Sequence, residues 1–259
     1  MSADTTITVS ERVAREREFH DNRFHDGDNR ESQKKYYAAL DVCFADYARR
    51  IDALAKGGDC LDYGCGEGDG GLEVANIAKS VTGIDISHEA IKTANSRLNR
   101  TKGQARFLVD DAHAMSFKDG SFDLVYGAGI LHHLDYDRAL AEIGRVVRPG
   151  GAILFSEPLG HNPLINLYRK LTPAARSADE APLTRNQVLA FARKFDARHI
   201  RFYGLATLAA VPFRKTPVYK PIRTVLDAID AVLLRLPGVK WLAWFVILEG
   251  HRPTTKTKA

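Results

Sequence analysis

Leu61-Asp62-Tyr63-Gly64-Cys65-Gly66-Glu67-Gly68 is the stretch that decides the fold of this chain. The apolar run Cys60 to Tyr63 has strand character, and glycines at alternate positions then allow a sharp turn with room for a ligand against the main chain. A dinucleotide fingerprint, G-x-G-x-x-G, would place its third glycine where Asp69 stands, which disfavours a nicotinamide dehydrogenase. The loop also lacks G-K-[ST], so it is not a P-loop. Asp62 at the strand end would repel a pyrophosphate and hold an ammonium, so the sign of charge points to a cationic ligand.

Reading outward, a strand–helix rhythm continues on the C-terminal side. A helical stretch from about Asp69 to Ala78 leads to a β-like run, Val81 to Ile84, closing on Asp85. Ser87 is a good N-cap for a helix whose Ile91, Ala94 and Leu98 share a face, and Ala105 to Val109 reads as a third strand. Phe122 to Tyr126 is a fourth. A helix with Leu140, Ile143 and Val147 inward ends at the turn Pro149-Gly150-Gly151, which delivers a fifth strand, Ala152 to Ser156. On the N-terminal side, Tyr37, Leu40, Phe44, Tyr47, Ile51 and Leu54 mark one face of a helix from about Glu31 to Ala55. Residues before about Asn29 read as a mobile charged arm. Strands alternating with helices imply a mostly parallel sheet covered on both faces.

Two further acids fall on successive strand ends. Asp85, 23 residues after Asp62, can accept both hydroxyls of a ribose. Asp111, after the third strand, can take an adenine amino group. Each alone also reads as a turn aspartate; the series on one sheet carries more.

Together, Asp62-x-Gly64-x-Gly66-x-Gly68, Asp85, Asp111-Ala112, Phe122 to Val125 through Leu131-His132-His133-Leu134, and Arg148-Pro149-Gly150-Gly151 resemble the class I S-adenosylmethionine-dependent methyltransferases, in the branch acting on small molecules. The match covers about Ala55 to Glu157. The resemblance implies a Rossmann-like α/β fold, a seven-stranded, mostly parallel sheet with an antiparallel last strand at Ala243 to Leu248, plus an N-terminal helical arm and C-terminal cap insertions. It divides the chain into an arm and helix over 1–55, a cofactor-binding core over 56–158, and the remaining strands with their cap over 159–259. It further implies Gly64 and Gly66 beside the methionine portion of S-adenosylmethionine, Asp62 near its ammonium, Asp85 on the ribose, Ile86 on the adenine face, Asp111 and Ala112 at the adenine edge, and Gly127 and Ala128 close to the sulfonium.

Methyl transfer is an in-line displacement, so alignment dominates and a base is needed where the nucleophile carries a proton. The stretch resembles phosphoethanolamine methyltransferases, in which a histidine seven positions after the strand-end tyrosine works with a tyrosine of the N-terminal helix. Counting from Tyr126 lands on His133, with Tyr36 or Tyr37 as the partner; Tyr37 also fits a core position. His132 and Glu157 are expected at the same cavity, Glu157 to orient a base or neutralise substrate. The alternative for the histidines is a structural pair capping the following helix. No second acid follows Tyr126, so no metal is expected.

The 259 residues, 45% hydrophobic and 27% charged, suit one larger α/β domain. Cys43, Cys60 and Cys65 lack the spacing of a disulfide framework or a zinc site. No apolar window is long enough to span a bilayer and the first residues do not resemble an export signal, so a cytoplasmic location is expected.

The net charge of +5 is uneven: 20 Lys and Arg against 26 Asp and Glu up to Pro158, then 17 against 6. The basic C-terminal part contains Arg214, Lys215, Lys220 and Arg223 ahead of an apolar helix, Val225 to Leu236. It is expected to cover the acceptor site and favour an anionic small molecule with an apolar body, its O-methylation being the expected reaction. The other readings are docking on a membrane surface or carrier protein, and a non-catalytic S-adenosylmethionine-binding protein. Nucleic acid is disfavoured, because the Asn or Asp followed by Pro-Pro of base methylation is absent. The oligomeric state is open.

Overall fold

The structure is a computed structural model that describes residues 9–25, 37–172, 177 and 180–254. Seven strands form one sheet in the order β3-β2-β1-β4-β5-β7-β6. They are β1 (Asp59–Tyr63), β2 (Ser80–Asp85), β3 (Ala105–Val109), β4 (Phe122–Ala128), β5 (Val147–Pro158), β6 (Asp196–Tyr203) and β7 (Phe245–His251). The pairings β1–β2, β2–β3, β1–β4 and β4–β5 are parallel, and β7 runs antiparallel to both β5 and β6. Chain order reverses between β1 and β4, and the carboxyl ends of strands at such a switch point are where open α/β sheets hold ligands.

The side-chain period of two separates two cores. Leu61, Tyr63, Val125 and Ile153 point to one face, with Leu140 and Ile143 of a covering helix. Cys60, Leu124, Tyr126 and Leu154 point to the other, against Cys43 and Ile51. The helices are α1 (Val9–His25), α2 (Asp41–Ala55), α3 (Asp69–Val74), α4 (His88–Ser96), α5 (Tyr136–Val146), α6 (Pro163–Leu171), α7 (Arg185–Lys194) and α8 (Tyr219–Leu233). Ser87 caps α4 by accepting the Ala90 N–H at 3.1 Å, as its position predicts.

Several expectations are corrected. The arm before Asn29 contains an ordered helix, α1, whose Asp21 accepts the Ser87 hydroxyl at 2.5 Å and so docks on the start of α4. Pro149-Gly150-Gly151 does not separate a helix from a later strand. The chain enters β5 already at Val147, which pairs with Phe122, and the register shifts across the Phe122–Leu124 stretch of β4. The region 159–185, which holds three prolines and no clear strand in sequence, contains α6. Its cap is Asn162, whose carboxamide oxygen accepts the N–H of Leu164 and Ile165, with Pro163 in the first turn. The C-terminal apolar helix begins at Tyr219 and ends at Leu233, earlier than its apolar pattern suggests at both ends.

Candidate active site

Gly64, Gly66 and Gly68 all have positive φ, which L side chains rarely adopt, so the turn after β1 is built around glycine. Its closure comes from Asp85 at the end of β2: one carboxylate oxygen accepts the Gly66 N–H at 2.9 Å and the other the Ser87 N–H at 2.9 Å. Each oxygen keeps a further lone pair to accept a ligand hydroxyl. Gly127 serves packing. A Cβ there would lie 2.5 Å from the Tyr63 carbonyl oxygen, so glycine lets β4 lie close against β1.

Above these strand ends lies a cavity lined by Gly64, Gly66, Asp85, Ile86, Asp111, Ala112, Ala128 and His133, with α1 as its roof. Arg12, Val13, Glu16 and His20 of α1 face it. Its lining carries Glu16, Asp85, Asp110 and Asp111 against the single arginine Arg12 among the described residues, a balance that favours a cationic ligand. At the β3 end, Asp111 accepts the His113 N–H at 2.8 Å and meets the ring Nδ1 at 2.9 Å. The other ring nitrogen, Nε2, accepts the Asp135 N–H at 2.9 Å, so Nδ1 carries the proton and donates to Asp111. His113, which the sequence reading did not single out, thus ties the β3 end to the start of α5.

The two histidines differ. His132 Nδ1 stands 2.7 Å from Glu157, and the other Glu157 oxygen accepts the N–H of Ile130 and Leu131 at 2.9 and 2.8 Å. Glu157 is fully buried, and neither it nor His132 is among the cavity-lining residues described, contrary to expectation. The physical reason is that three donors of the β4 loop enclose the Glu157 carboxylate. Glu157 therefore anchors the loop that carries His133.

His133 does line the cavity. Its Nδ1 lies 3.1 Å from Glu16 and 3.4 Å from the Ser177 hydroxyl, and its ring stands edge-on to His20. Burial lowers its basicity, only partly offset by the hydrogen bond to Glu16, so the net direction is down and the ring is neutral at pH 7. Burial opposes ionisation of Glu16 as well, but hydrogen bonds with His133, His20 and Ser177 hold its carboxyl below the ordinary range. With the ionised Glu16 carboxylate 3.1 Å from Nδ1, the Nδ1–H tautomer is favoured electrostatically, and in that tautomer Nε2 offers the lone pair that takes a proton.

Asp62 sits behind the glycine turn and is not among the lining residues described. Burial first, and Asp85 second, raise its carboxyl to about 7. Tyr36 lies outside the described residues. Tyr37 stacks on Trp244 with centroids 5.5 Å apart, a core role. The segment 205–239 does not cover this cavity: among its residues none lines it, and Tyr219 and Arg223 instead bind Ala38 and Asp41 on the opposite core. Glu16 was missed in sequence. Its signal was the spacing Val13, Glu16, His20, one face of a helix.

Residues 61–155 match the model of a methyltransferase domain family. The chain is 35% identical over 136 residues to an O-methyltransferase, cnsE, of Penicillium expansum, covering 49% of each protein. It is 39% identical over 109 residues to a 2-methyl-6-phytyl-1,4-hydroquinone methyltransferase of Synechocystis, covering 41% of this chain and 34% of that one. The aligned stretch thus spans half or less of these relatives. In fold, the magnesium protoporphyrin IX methyltransferase of Synechocystis with bound SAH superposes with a TM-score of 0.62 at 14% identity, over 93% of this chain and 99% of that one.

Proposed function

We propose that this chain, whose residues 61–155 form a class I methyltransferase domain, transfers a methyl group from S-adenosylmethionine to an oxygen of a small molecule. One observation carries the reading: acids on three successive strand ends surround a glycine turn, and a neutral, carboxylate-bound histidine faces the same cavity. The residues suit the cofactor. Asp85 retains acceptor capacity for a ribose, Ile86 and Ala112 offer apolar walls for an adenine, Asp111 stands at its edge, and Gly64, Gly66 and Ala128 leave backbone accessible beside the sulfur. Asp62, uncomfortable as a buried anion, gains from an ammonium nearby.

S-adenosylmethionine supplies, when bound, an electrophilic methyl on a sulfonium. His133 Nε2 takes the acceptor's hydroxyl proton as the oxygen attacks. Glu16 fixes the tautomer and stabilises the imidazolium that results, while Glu157 and His132 hold the loop. Arg12 of α1 lines the same cavity and is the cation that would meet an anionic group of the acceptor. The anion preference expected of Arg214 and Lys215 is assigned to Arg12 instead.

Incubation with S-adenosylmethionine and a panel of phenols, hydroquinones and hydroxy acids tests this. Release of S-adenosylhomocysteine with one acceptor class supports the reading. Cofactor binding with no release against any acceptor favours a non-catalytic binding protein. A lipid-like or carrier-bound acceptor met at a membrane surface is the second reading, favoured by the apolar side chains exposed on α8. No described helix is long and apolar enough to cross a membrane.

A further inference from the structure

Helix α8 turns its acids toward the body and exposes an apolar stripe. Asp230 is buried and accepts the N–H of Leu205, Ala206 and Thr207 and the Thr207 hydroxyl. Asp227 pairs with Arg223 at 3.3 Å, and Arg223 also pairs with Asp41. Tyr219 donates its hydroxyl to the Ala38 carbonyl at 2.7 Å. The contacts of Asp230, Arg223 with Asp41, and Tyr219 fasten the helix to the body, while the Arg223–Asp227 pair lies within the helix. The opposite face carries Val225, Ile229 and Val232, spaced four and three residues apart and followed by exposed Leu236 just past the helix end, with exposures from 40% at Ile229 to 64% at Val232. A surface helix ordinarily turns such a stripe inward.

Helix α6 repeats the pattern. Leu164, Leu167 and Leu171 are exposed, Leu171 at 72%, while Arg169 turns inward to the Leu159 carbonyl at 3.0 Å. Both helices follow strands, β5 and β6, that run in the same direction, so both stand at the carboxyl end of the sheet. They are linked, because Asn162, the cap of α6, donates to the Leu242 carbonyl beyond α8 at 2.8 Å.

Charge then selects the occupant. Lys215, Lys220 and Arg235 are exposed and Arg214 is half-buried, while both acids of the segment 205–240 are turned inward. An exposed apolar stripe on a helix preceded by exposed Lys215 and followed by exposed Arg235, with its acids facing away, complements an anionic headgroup layer over acyl chains. A second copy of the same face would set cation against cation.

We propose that the exposed faces of α8 and α6 dock this protein on an anionic lipid bilayer surface. The proposal deepens the second reading of the site but is measured without cofactor or acceptor, so failure of methyl transfer leaves it standing and failure of docking leaves methyl transfer standing.

The test is cosedimentation of the full chain with vesicles of phosphatidylcholine plus phosphatidylserine, and with phosphatidylcholine alone. Expected is pelleting with the mixed vesicles only, at about 0.1 M salt, lost toward about 0.5 M. The double change Ile229→Glu and Val232→Glu should lower partitioning at least about tenfold, and Arg214→Gln with Lys215→Gln about fivefold for each cation removed. Both pairs lie on the surface, and unchanged melting would show that each variant folds. Equal binding to both vesicle types, no pelleting at low salt, or a dimer of the wild type that the Glu variant breaks would each overturn the proposal, the last assigning the face to a protein contact.

Discussion

The floor and the roof of the cavity are built from opposite kinds of sequence. The floor, at the ends of β1 to β4, uses residues whose type is dictated by backbone geometry: glycines at positive φ and a carboxylate that satisfies two loop N–H groups. The roof, α1, is a charged helix held by a few side-chain contacts, Asp21 to Ser87 and Glu16 to His133. Under the proposed function, recognition of the methyl donor belongs to the floor, and activation of the acceptor to the junction of floor and roof. The two functions should therefore separate under substitution.

The sharpest way to separate them is His133→Ala. Turnover should fall about 100-fold or more while affinity for S-adenosylhomocysteine stays near wild type. Equal loss of both, read by steady-state kinetics and calorimetry, would merge the two regions. Glu16→Gln probes the roof alone. It should lower kcat about tenfold, and the acid limb of the pH–rate profile should move to lower pH, because the carboxylate is what raises the His133 ring against the larger effect of burial. A Glu16→Gln enzyme with an unshifted limb would make Glu16 a purely structural residue of α1.

The smallest effect concerns the floor without ligand. Asp62, raised to about 7 from 3.8, binds its proton more tightly in the folded than in the unfolded chain. Stability is therefore greatest below pH 4 from this group and is lost as pH rises to about 7. Scanning calorimetry should show a melting temperature drifting down by a few degrees over that window. Asp62→Asn should flatten the drift, and S-adenosylmethionine should restore stability at pH 7 and above, where the ammonium meets an ionised carboxylate. No change in slope with Asp62→Asn would place the titration elsewhere.

The legibility of the molecule follows the same division. The strands of the parallel sheet and the acids at their ends, 62, 85 and 111, were readable because period-two apolar runs and turn chemistry are local. His133 was readable from its distance to Tyr126 through a family resemblance. Glu157 was expected at the cavity but stands behind it, since enclosure by Ile130, Leu131 and His132 is an outcome of the loop's fold that its position in sequence does not show. α1 looked like an arm because its charged residues outnumber its apolar ones, and only the pairing of Glu16 with His133, over a hundred residues away, shows what its inward face does. The helix at 219–233 was found by its apolar pattern, which placed it at Val225 to Leu236 over the acceptor site, a site it does not cover. Asp230 and Arg223 bond to the body on the face opposite Val225, Ile229 and Val232, so those side chains stay exposed.

The central claim, that the strand ends hold S-adenosylmethionine by residues in these positions, is tested most directly by calorimetric titration of S-adenosylhomocysteine into the wild type and Asp85→Ala. The account predicts binding by the wild type without added metal, and a loss of about 1 to 3 kcal/mol in the variant as ribose hydrogen bonds disappear. Equal affinity in the two proteins, or no binding by the wild type, would contradict it.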